Sequence, residues 1–123
     1  GANKIQEHLI SMFIGRWQPW HAGHRWLIDQ QLNQGKKVLL CVRDVKQDEN
    51  NPWSAWEIMM MLSDKLMDLV EDNKLRIIMI PDIESINFGR GVGYDVIEHI
   101  PPPEIGEISA TKIREDAKRN KNS

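Results

Sequence analysis

The chain has 123 residues, a formal net charge of −2 and a single cysteine. This balance provides no basic surface field, which argues against nucleic acid and anionic membranes as partners. Its longest apolar runs are about six residues, whereas a helix needs about 20 to span a bilayer. We therefore expect one soluble, cytoplasmic domain over residues 1–123, with a core at about 9–119.

Three apolar runs predict strands at residues 9–14, 37–42 and 75–80. The first two runs do not alternate with polar residues, which predicts burial on both faces. Helical patterns lie between the strands, at about 21–33 and 54–73. Connections of helix length predict parallel strands with right-handed crossovers. The expected fold is therefore α/β: a Rossmann-like, three-layer α/β/α domain with a mainly parallel sheet.

The last third of the chain is less regular. Residues 94–100 are interpreted as a short strand, and the three prolines at 101–103 are expected to exclude a ladder or helix there. A Ser/Thr-rich start predicts a final helix over residues 109–119. Local patterns also predict a capping box at Ser54 and Glu57. Cys41 lies inside an apolar run and is expected to be a buried, inert thiol.

The sequence GRWQPWHAGH, at residues 15–24, lies between the first strand and the first helix. His21 and His24 are three residues apart in the first helical turn, so they share one face. Imidazoles beside unpaired backbone N–H groups at the positive end of a helix suit a polyphosphate. Gly23 lacks a side chain, so a base or ribose could approach the backbone there. Two solvated histidines and a turn glycine are the simpler interpretation of this stretch taken alone.

A second group of anion-suited residues lies near the end of the chain. Ser109 and Thr111 are hydroxyl residues at a predicted helix start, where such residues usually only cap the helix. Arg114 lies one turn further on, close enough to reach an anion held there. Arg16, directly after the first strand, is a third cationic candidate. Helix starts suited to phosphate are thus predicted at both ends of the chain, which favours anion binding over simple capping.

Residues 15–24 resemble the HxGH signature of the nucleotidylyltransferase superfamily, and ISATKIR, at 108–114, resembles its ISSTxxR signature. The resemblance extends over about residues 9–119. It implies transfer of a nucleotidyl group from ATP or CTP to a phosphorylated small molecule, with release of pyrophosphate. It also implies Mg²⁺ held mainly by the triphosphate, no protein metal ligands and no covalent enzyme intermediate.

The resemblance assigns roles to residues of both motifs. The implied catalytic residues are His21, His24 and Arg114. The implied nucleotide- and phosphate-binding residues are Gly15, Arg16, Gly23, Ser109, Ala110 and Thr111. Loops at the same sheet edge supply candidate acceptor-binding residues, namely Asp44, Lys46, Trp53 and Arg90. For Asp44 and Lys46, simple exposed charge is the plainer interpretation.

The subfamily is left open by the sequence. The N-terminal motif and NPWSA, at 51–55, are similar to archaeal-type nicotinamide-mononucleotide adenylyltransferases, which favours ATP. EISATKI, at 107–113, is closer to cytidylyltransferases of the glycerol-phosphate type. A non-catalytic nucleotide-binding module is an alternative. A class I aminoacyl-tRNA synthetase fragment is disfavoured by the short chain, the acidic balance and the lack of a KMSKS-like stretch. A homo-oligomer is left open.

Four tryptophans flank the two loops of the predicted cleft, namely Trp17, Trp20, Trp53 and Trp56. They are expected in the core or the cleft wall, with base stacking by one of them as the alternative.

Overall fold

The computed structural model describes residues 9–90 and 94–106. Strands and helices alternate along most of this length, as the apolar runs predicted. The elements are β1 (Ile10–Gly15), α1 (Ala22–Leu32), β2 (Lys37–Asp44), α2 (Ala55–Lys65), α3 (Met67–Glu71), β3 (Leu75–Pro81) and α4 (Pro103–Gly106).

The three strands form one parallel sheet in the order β1-β2-β3. Ile10 pairs with Lys37 at one end of the β1–β2 ladder, and Asp44 pairs with Pro81 at the far end of the β2–β3 ladder. All three strands therefore end at the same edge, where Arg16 and the loop after Asp44 begin. This is a Rossmann-like α/β arrangement, and it confirms the predicted parallel sheet.

The apolar core lies on one face of this sheet. Its strand residues occupy alternate positions of the ladder, so they share that face, and α1 and α2 contribute Ile28, Ile58 and Leu62. The strand members of this core are Phe13, Val38, Leu40, Val42 and Leu75. The second helical layer of the predicted three-layer fold is not formed by the described residues and stays a prediction.

The opposite face corrects the prediction that β1 is buried on both sides. Ile10 and Met12 are each 58% exposed, because none of the described helices packs over that side of β1. The central strand β2 agrees better with its prediction: Cys41 is 1% exposed on this face, and burial raises the pKa of its thiol. The expectation of a buried cysteine is confirmed.

Capping side chains and a glycine mark several helix ends. Ser54 Oγ accepts from the Glu57 N–H at 3.1 Å, and Glu57 Oε1 accepts from the Ser54 N–H at 3.0 Å, as the capping box predicted. Gly35 follows α1 with a φ of +77°, a conformation that glycine adopts without steric cost. The helix predicted over residues 54–73 is instead two helices. Leu66 leaves helical geometry, with φ −114° and ψ 20°, while its buried side chain keeps packing on the core.

The C-terminal part of the described chain returns to β1 and α1. Residues 94–100 form no strand, which corrects the prediction. His99 stacks on Phe13 with ring centroids 6.1 Å apart and lies 3.2 Å from the Gln31 amide nitrogen, so side chains rather than a backbone ladder hold this stretch. A one-turn helix begins at Pro103, contrary to expectation, because proline is tolerated in the first helical turn. None of the helices in the described residues is long and apolar enough to cross a bilayer.

Candidate active site

Two histidines cap each other at the start of α1. His21 is the N-cap residue, with extended backbone, and its Nδ1 accepts from the Gly23 N–H at 3.0 Å. His24 Nδ1 accepts from the His21 N–H at 3.3 Å. The two rings stack with centroids 3.7 Å apart. The reciprocal bonds form a capping box in which both side-chain partners are imidazoles.

This geometry determines which atoms can meet a ligand. Because each Nδ1 accepts a hydrogen bond, the proton of each neutral ring lies on Nε2. The backbone N–H groups of Gly23, His24 and Arg25 all bond to His21, through its ring or its carbonyl oxygen. The expectation of unpaired amides beside the imidazoles is therefore wrong for these three residues. The ring donors that the capping bonds leave to a ligand are the two Nε2–H groups.

The surroundings hold both rings neutral near pH 7. Burial lowers the pKa of His21. Burial, and secondarily the neighbouring His21, lower the pKa of His24 to about 3. Trp17 and Trp20 enclose the His24 ring at centroid distances of 5.0 and 5.4 Å. The first turn of α1 carries no carboxylate, whose negative charge would raise the pKa of the two histidines. The site therefore offers uncharged hydrogen-bond donors rather than imidazolium ions.

The two motif glycines make room for aromatic rings. A Cβ on Gly23 would lie 2.8 Å from Cε1 of His21, so a side chain there would displace the capping ring. A Cβ on Gly15 would lie 2.9 Å from the Trp17 indole, whose Nε1–H donates to the Cys41 carbonyl oxygen at 3.0 Å. Packing within the protein thus accounts for both glycines, and the approach of a base to Gly23 stays a prediction.

Arg16 is held at the sheet edge by residues to which the sequence assigned no role in the site. Its Nη1 donates to Asn51 Oδ1 at 2.9 Å, and Asn51 Nδ2 donates to Asp48 Oδ1 at 3.0 Å. Desolvation raises the pKa of Asp48, but hydrogen bonds from Asn51 and Asn50 and the charge of Arg16 outweigh it, so the net shift is downward. Asn51 is 8% exposed. Its signal in the sequence was its place at the start of NPWSA, the stretch at 51–55 that is similar to archaeal-type adenylyltransferases.

Gln18 fixes the two loops of the site relative to each other. Its Nε2 donates to the Trp53 carbonyl oxygen at 2.8 Å, and its Oε1 accepts from the Trp53 N–H at 3.2 Å. The predicted acceptor residue Trp53 is therefore clamped through its backbone, and its side chain packs against the core. Trp17 and Trp20 are buried, as expected for core or wall residues, whereas Trp56 is 69% exposed.

A polar cavity of about 460 Å³ opens at the carboxyl ends of the strands. It brings together Arg16, predicted from the sequence, with Lys46, a predicted acceptor residue. Asp44 is exposed and does not line it. Arg90 is also exposed, and no hydrogen bond or ion pair joins it to the described residues of the site. Sequence reasoning missed Arg43, which ends the second apolar run and lines the same cavity.

The second motif, with Ser109, Ala110, Thr111 and Arg114, lies outside the described residues. The described chain nevertheless leads towards the first motif. Ile105 Cγ2 is 3.8 Å from the position that a Cβ on Gly23 would occupy, so α4 lies against the start of α1. In the described ranges, no group of three or more His, Cys, Asp or Glu residues could hold a metal ion.

Comparison with known proteins identifies two similar sequences, while no protein-family model matches. A nicotinamide-nucleotide adenylyltransferase of Methanococcus aeolicus is 28% identical over 95 residues, which cover 76% of this chain and 52% of that protein. A nicotinamide-nucleotide adenylyltransferase of Methanospirillum hungatei is 28% identical over 61 residues, or 48% of this chain and 35% of that protein. The chain thus spans about half the length of the first relative and a third of the second. These similarities confirm that the sequence resembles enzymes of the nucleotidylyltransferase superfamily.

Proposed function

We propose that this protein is a nucleotidylyltransferase that transfers AMP from ATP to a phosphorylated small molecule and releases pyrophosphate. The observation that carries the proposal is the pair of neutral histidines at the start of α1, whose Nε2–H groups take no part in the capping bonds. The helix start follows β1 directly, at the carboxyl edge of a parallel sheet. Ligands of open α/β sheets bind at this edge. The adenylyltransferase names of both relatives favour ATP over CTP.

In the proposed reaction, an oxygen of the acceptor phosphate attacks the α-phosphorus of ATP. The bond to the bridging α–β oxygen breaks in line, and pyrophosphate leaves with the bonding electrons. Negative charge builds up on the phosphate oxygens as this happens. Hydrogen bonds from His21 and His24 Nε2 stabilise that charge without transferring a proton, and the buried setting of His24 strengthens them. No covalent enzyme intermediate is required, so catalysis is positioning plus charge stabilisation.

Arg16 supplies the fixed positive charge of the proposal. Its guanidinium is oriented by Asn51, which itself is held by Asp48. One N–H is used in this contact, and the planar group has four further N–H donors for phosphate oxygens. An arginine held in this way loses less side-chain freedom on binding than a free one, which favours affinity.

Ser109, Ala110, Thr111 and Arg114 are proposed to complete the triphosphate site. Their support is the position of Ile105 beside Gly23. Ser109 follows Ile105 by four residues, a distance of at most about 14 Å for extended chain. In this proposal the hydroxyl and guanidinium groups of the second motif approach a triphosphate bound at the start of α1 from the side of Ile105.

Mg²⁺ in this proposal arrives bound to the triphosphate. The residues described around the histidines offer neutral imidazoles and a cationic guanidinium rather than carboxylates. Mg²⁺ prefers oxygen ligands and is commonly held through substrate phosphates. The protein's part is then to bind the phosphate oxygens that the ion leaves free.

The proposal is tested by a binding panel followed by a turnover assay. A nucleotide at a hundred times its dissociation constant stabilises the protein by about 2.7 kcal/mol, so thermal shifts with ATP, CTP, GTP and UTP identify the base. Pyrophosphate release is then measured with that nucleotide and phosphorylated acceptors, nicotinamide mononucleotide first. We expect ATP to give the largest shift and pyrophosphate to form only when an acceptor is present. Nucleotide binding without pyrophosphate release from any pair would instead indicate a binding module.

A further inference from the structure

The chain from His99 to Ile105 lies along α1 and forms a strap, whose first residue is fixed by side-chain contacts. The His99 ring stacks on the buried ring of Phe13, with centroids 6.1 Å apart and planes 24° apart. Its Nε2 lies 3.2 Å from Nε2 of Gln31, in the last turn of α1. His99 is half-buried, whereas its neighbours on both sides in the chain are exposed. These contacts therefore hold this end of the strap against β1 and α1.

Gln31 makes the contact with His99 specific. It is a polar side chain inside the protein, only 2% exposed. Its Oε1 has no hydrogen-bond partner among the described residues, so the bond to His99 is the one that its amide group makes with them. Without the imidazole, a buried amide would be left unpaired, which costs more than an ordinary hydrogen bond contributes. The polar pair therefore favours one position of His99, and with it one position of the strap.

The other end of the strap is α4, which packs against the start of α1. Ile105 Cγ2 lies 3.8 Å from the position that a Cβ on Gly23 would occupy. The Ile105 N–H donates to the Pro102 carbonyl oxygen at 2.9 Å, which closes the turn. The strap thus ends against the helical turn that carries the two histidines of the site.

Three consecutive prolines, residues 101–103, join the two ends of the strap. Their rings restrict φ, so this part of the backbone is stiff. An extended proline run rises about 3.1 Å per residue, so residues 99–103 can span about 12 Å. At a rise of about 1.5 Å per residue, Gly23 and Gln31 are also about 12 Å apart along α1. A contact made at His99 therefore determines where Ile105 lies.

We propose that His99 is a positioning residue for the triphosphate of a bound nucleotide. It acts through the strap, which sets where the chain after Ile105 enters the site. The inference rests on the proposed function, which places residues of the 109–114 segment on the triphosphate. A segment that is already in place loses less conformational freedom when the nucleotide binds, so the affinity is higher. The effect is confined to nucleotides with β- and γ-phosphates, because AMP ends at its α-phosphate.

The first test asks, without any ligand, whether His99 determines the place of Ile105. In the wild type we expect a nuclear Overhauser effect between the γ2-methyl group of Ile105 and the α-protons of Gly23, because these groups are in contact. His99→Ala should lose this signal. The matched control is Ile100→Ala, which should keep it, since Ile100 is the next residue and is 77% exposed. A signal that persists in His99→Ala, or that is absent from the wild type, would overturn the inference.

The second test measures the affinity for α,β-methylene-ATP with Mg²⁺, and for AMP, by isothermal titration calorimetry. Fixing the backbone of one residue lowers an equilibrium constant by roughly fivefold to thirtyfold. We therefore expect His99→Ala to bind the ATP analogue at least ~5-fold more weakly but AMP as well as the wild type does. The double variant His99→Phe with Gln31→Leu should recover most of the affinity, because it keeps a ring on Phe13 and replaces the polar pair by an apolar one.

A third variant, Ile105→Ala, shortens the side chain at the other end of the strap and should show the same selective loss. It tests the strap even if His99→Ala does not fold. Unchanged affinity for the ATP analogue in both single variants would overturn the inference. Equal losses for the ATP analogue and AMP would also overturn it, as would the same loss in Ile100→Ala.

Turnover separates this inference from the proposed function. If the wild type binds the ATP analogue but releases no pyrophosphate with any acceptor, the proposed function fails, while a selective loss in His99→Ala still supports the positioning role. If His99→Ala releases pyrophosphate with an unchanged KM for ATP, the positioning role fails and the proposed function stands.

Discussion

Acidification should destabilise the folded protein through His24. The folded state holds this histidine neutral, with a pKa of about 3, whereas the unfolded chain has the ordinary value of 6.5. Below pH 6.5 the unfolded state therefore binds more protons than the folded state, so protonation favours unfolding. The stabilisation is complete above pH 6.5 and is lost progressively as the pH falls towards 3.

The size of the effect follows from these two values. Between pH 7 and pH 5, linkage gives a loss of at most about 1.9 kcal/mol in the free energy of unfolding. The His24 ring retains partial contact with solvent, which screens the penalty, so we expect about 1 kcal/mol. Stacking of His21 at 3.7 Å adds to the difficulty of placing a charge on His24.

The assay compares the wild type with His24→Gln by urea unfolding at pH 7, 6 and 5. Glutamine is a common third residue of capping boxes and can accept from the His21 N–H, but it does not titrate in this range. We expect the wild type to lose about 1 kcal/mol more than the variant between pH 7 and pH 5. Parallel pH profiles of the two proteins would show that His24 is not held neutral and would refute this account of the site.

Two further substitutions and one alkylation reaction test the packing of the site. In most helices a Gly→Ala substitution raises the free energy of unfolding by up to about 1 kcal/mol. Gly23→Ala should give no such gain, because its Cβ would displace the His21 ring. A normal gain in stability, measured by urea unfolding, would contradict this. Asn51→Ala should lower the free energy of unfolding by about 1–3 kcal/mol, because it removes a buried hydrogen-bond partner of Arg16. Asn50 is exposed, so Asn50→Ala should leave the stability nearly unchanged. Equal losses in the two variants on urea unfolding would contradict this. Cys41 should react with iodoacetamide only after unfolding, and rapid alkylation of the native protein would contradict its burial.

Features determined by neighbouring residues were predictable from the sequence. The Ser54–Glu57 capping box depends on residues three apart, and it is present with both hydrogen bonds. Gly35 marks the turn after α1 because glycine adopts a positive φ without steric cost. The parallel sheet followed from strands joined by helix-length connections. The position of His21 and His24 on one helical face was likewise a local inference, although their mutual capping was not foreseen.

Features determined by distant residues were not predictable. The contact of Arg16 with Asn51 joins positions 35 apart, and that of Arg43 with Asp82 joins positions 39 apart. An apolar run also does not reveal whether both faces of its strand are covered, which is why the exposure of Met12 was missed. Residues 94–100 have the composition of a strand but lie where side-chain contacts with β1 and α1 replace backbone pairing.

The central claim, nucleotidylyl transfer at the histidine site, is tested most directly by the fate of labelled phosphates. The protein is incubated with Mg²⁺, an acceptor panel and ATP carrying ³²P at either the α or the γ position. We expect the α-label to appear in a new acceptor adduct and the γ-label only in pyrophosphate, with both lost in His24→Gln. Transfer of the γ-label to the acceptor, or release of the γ-label as inorganic phosphate, would contradict the account.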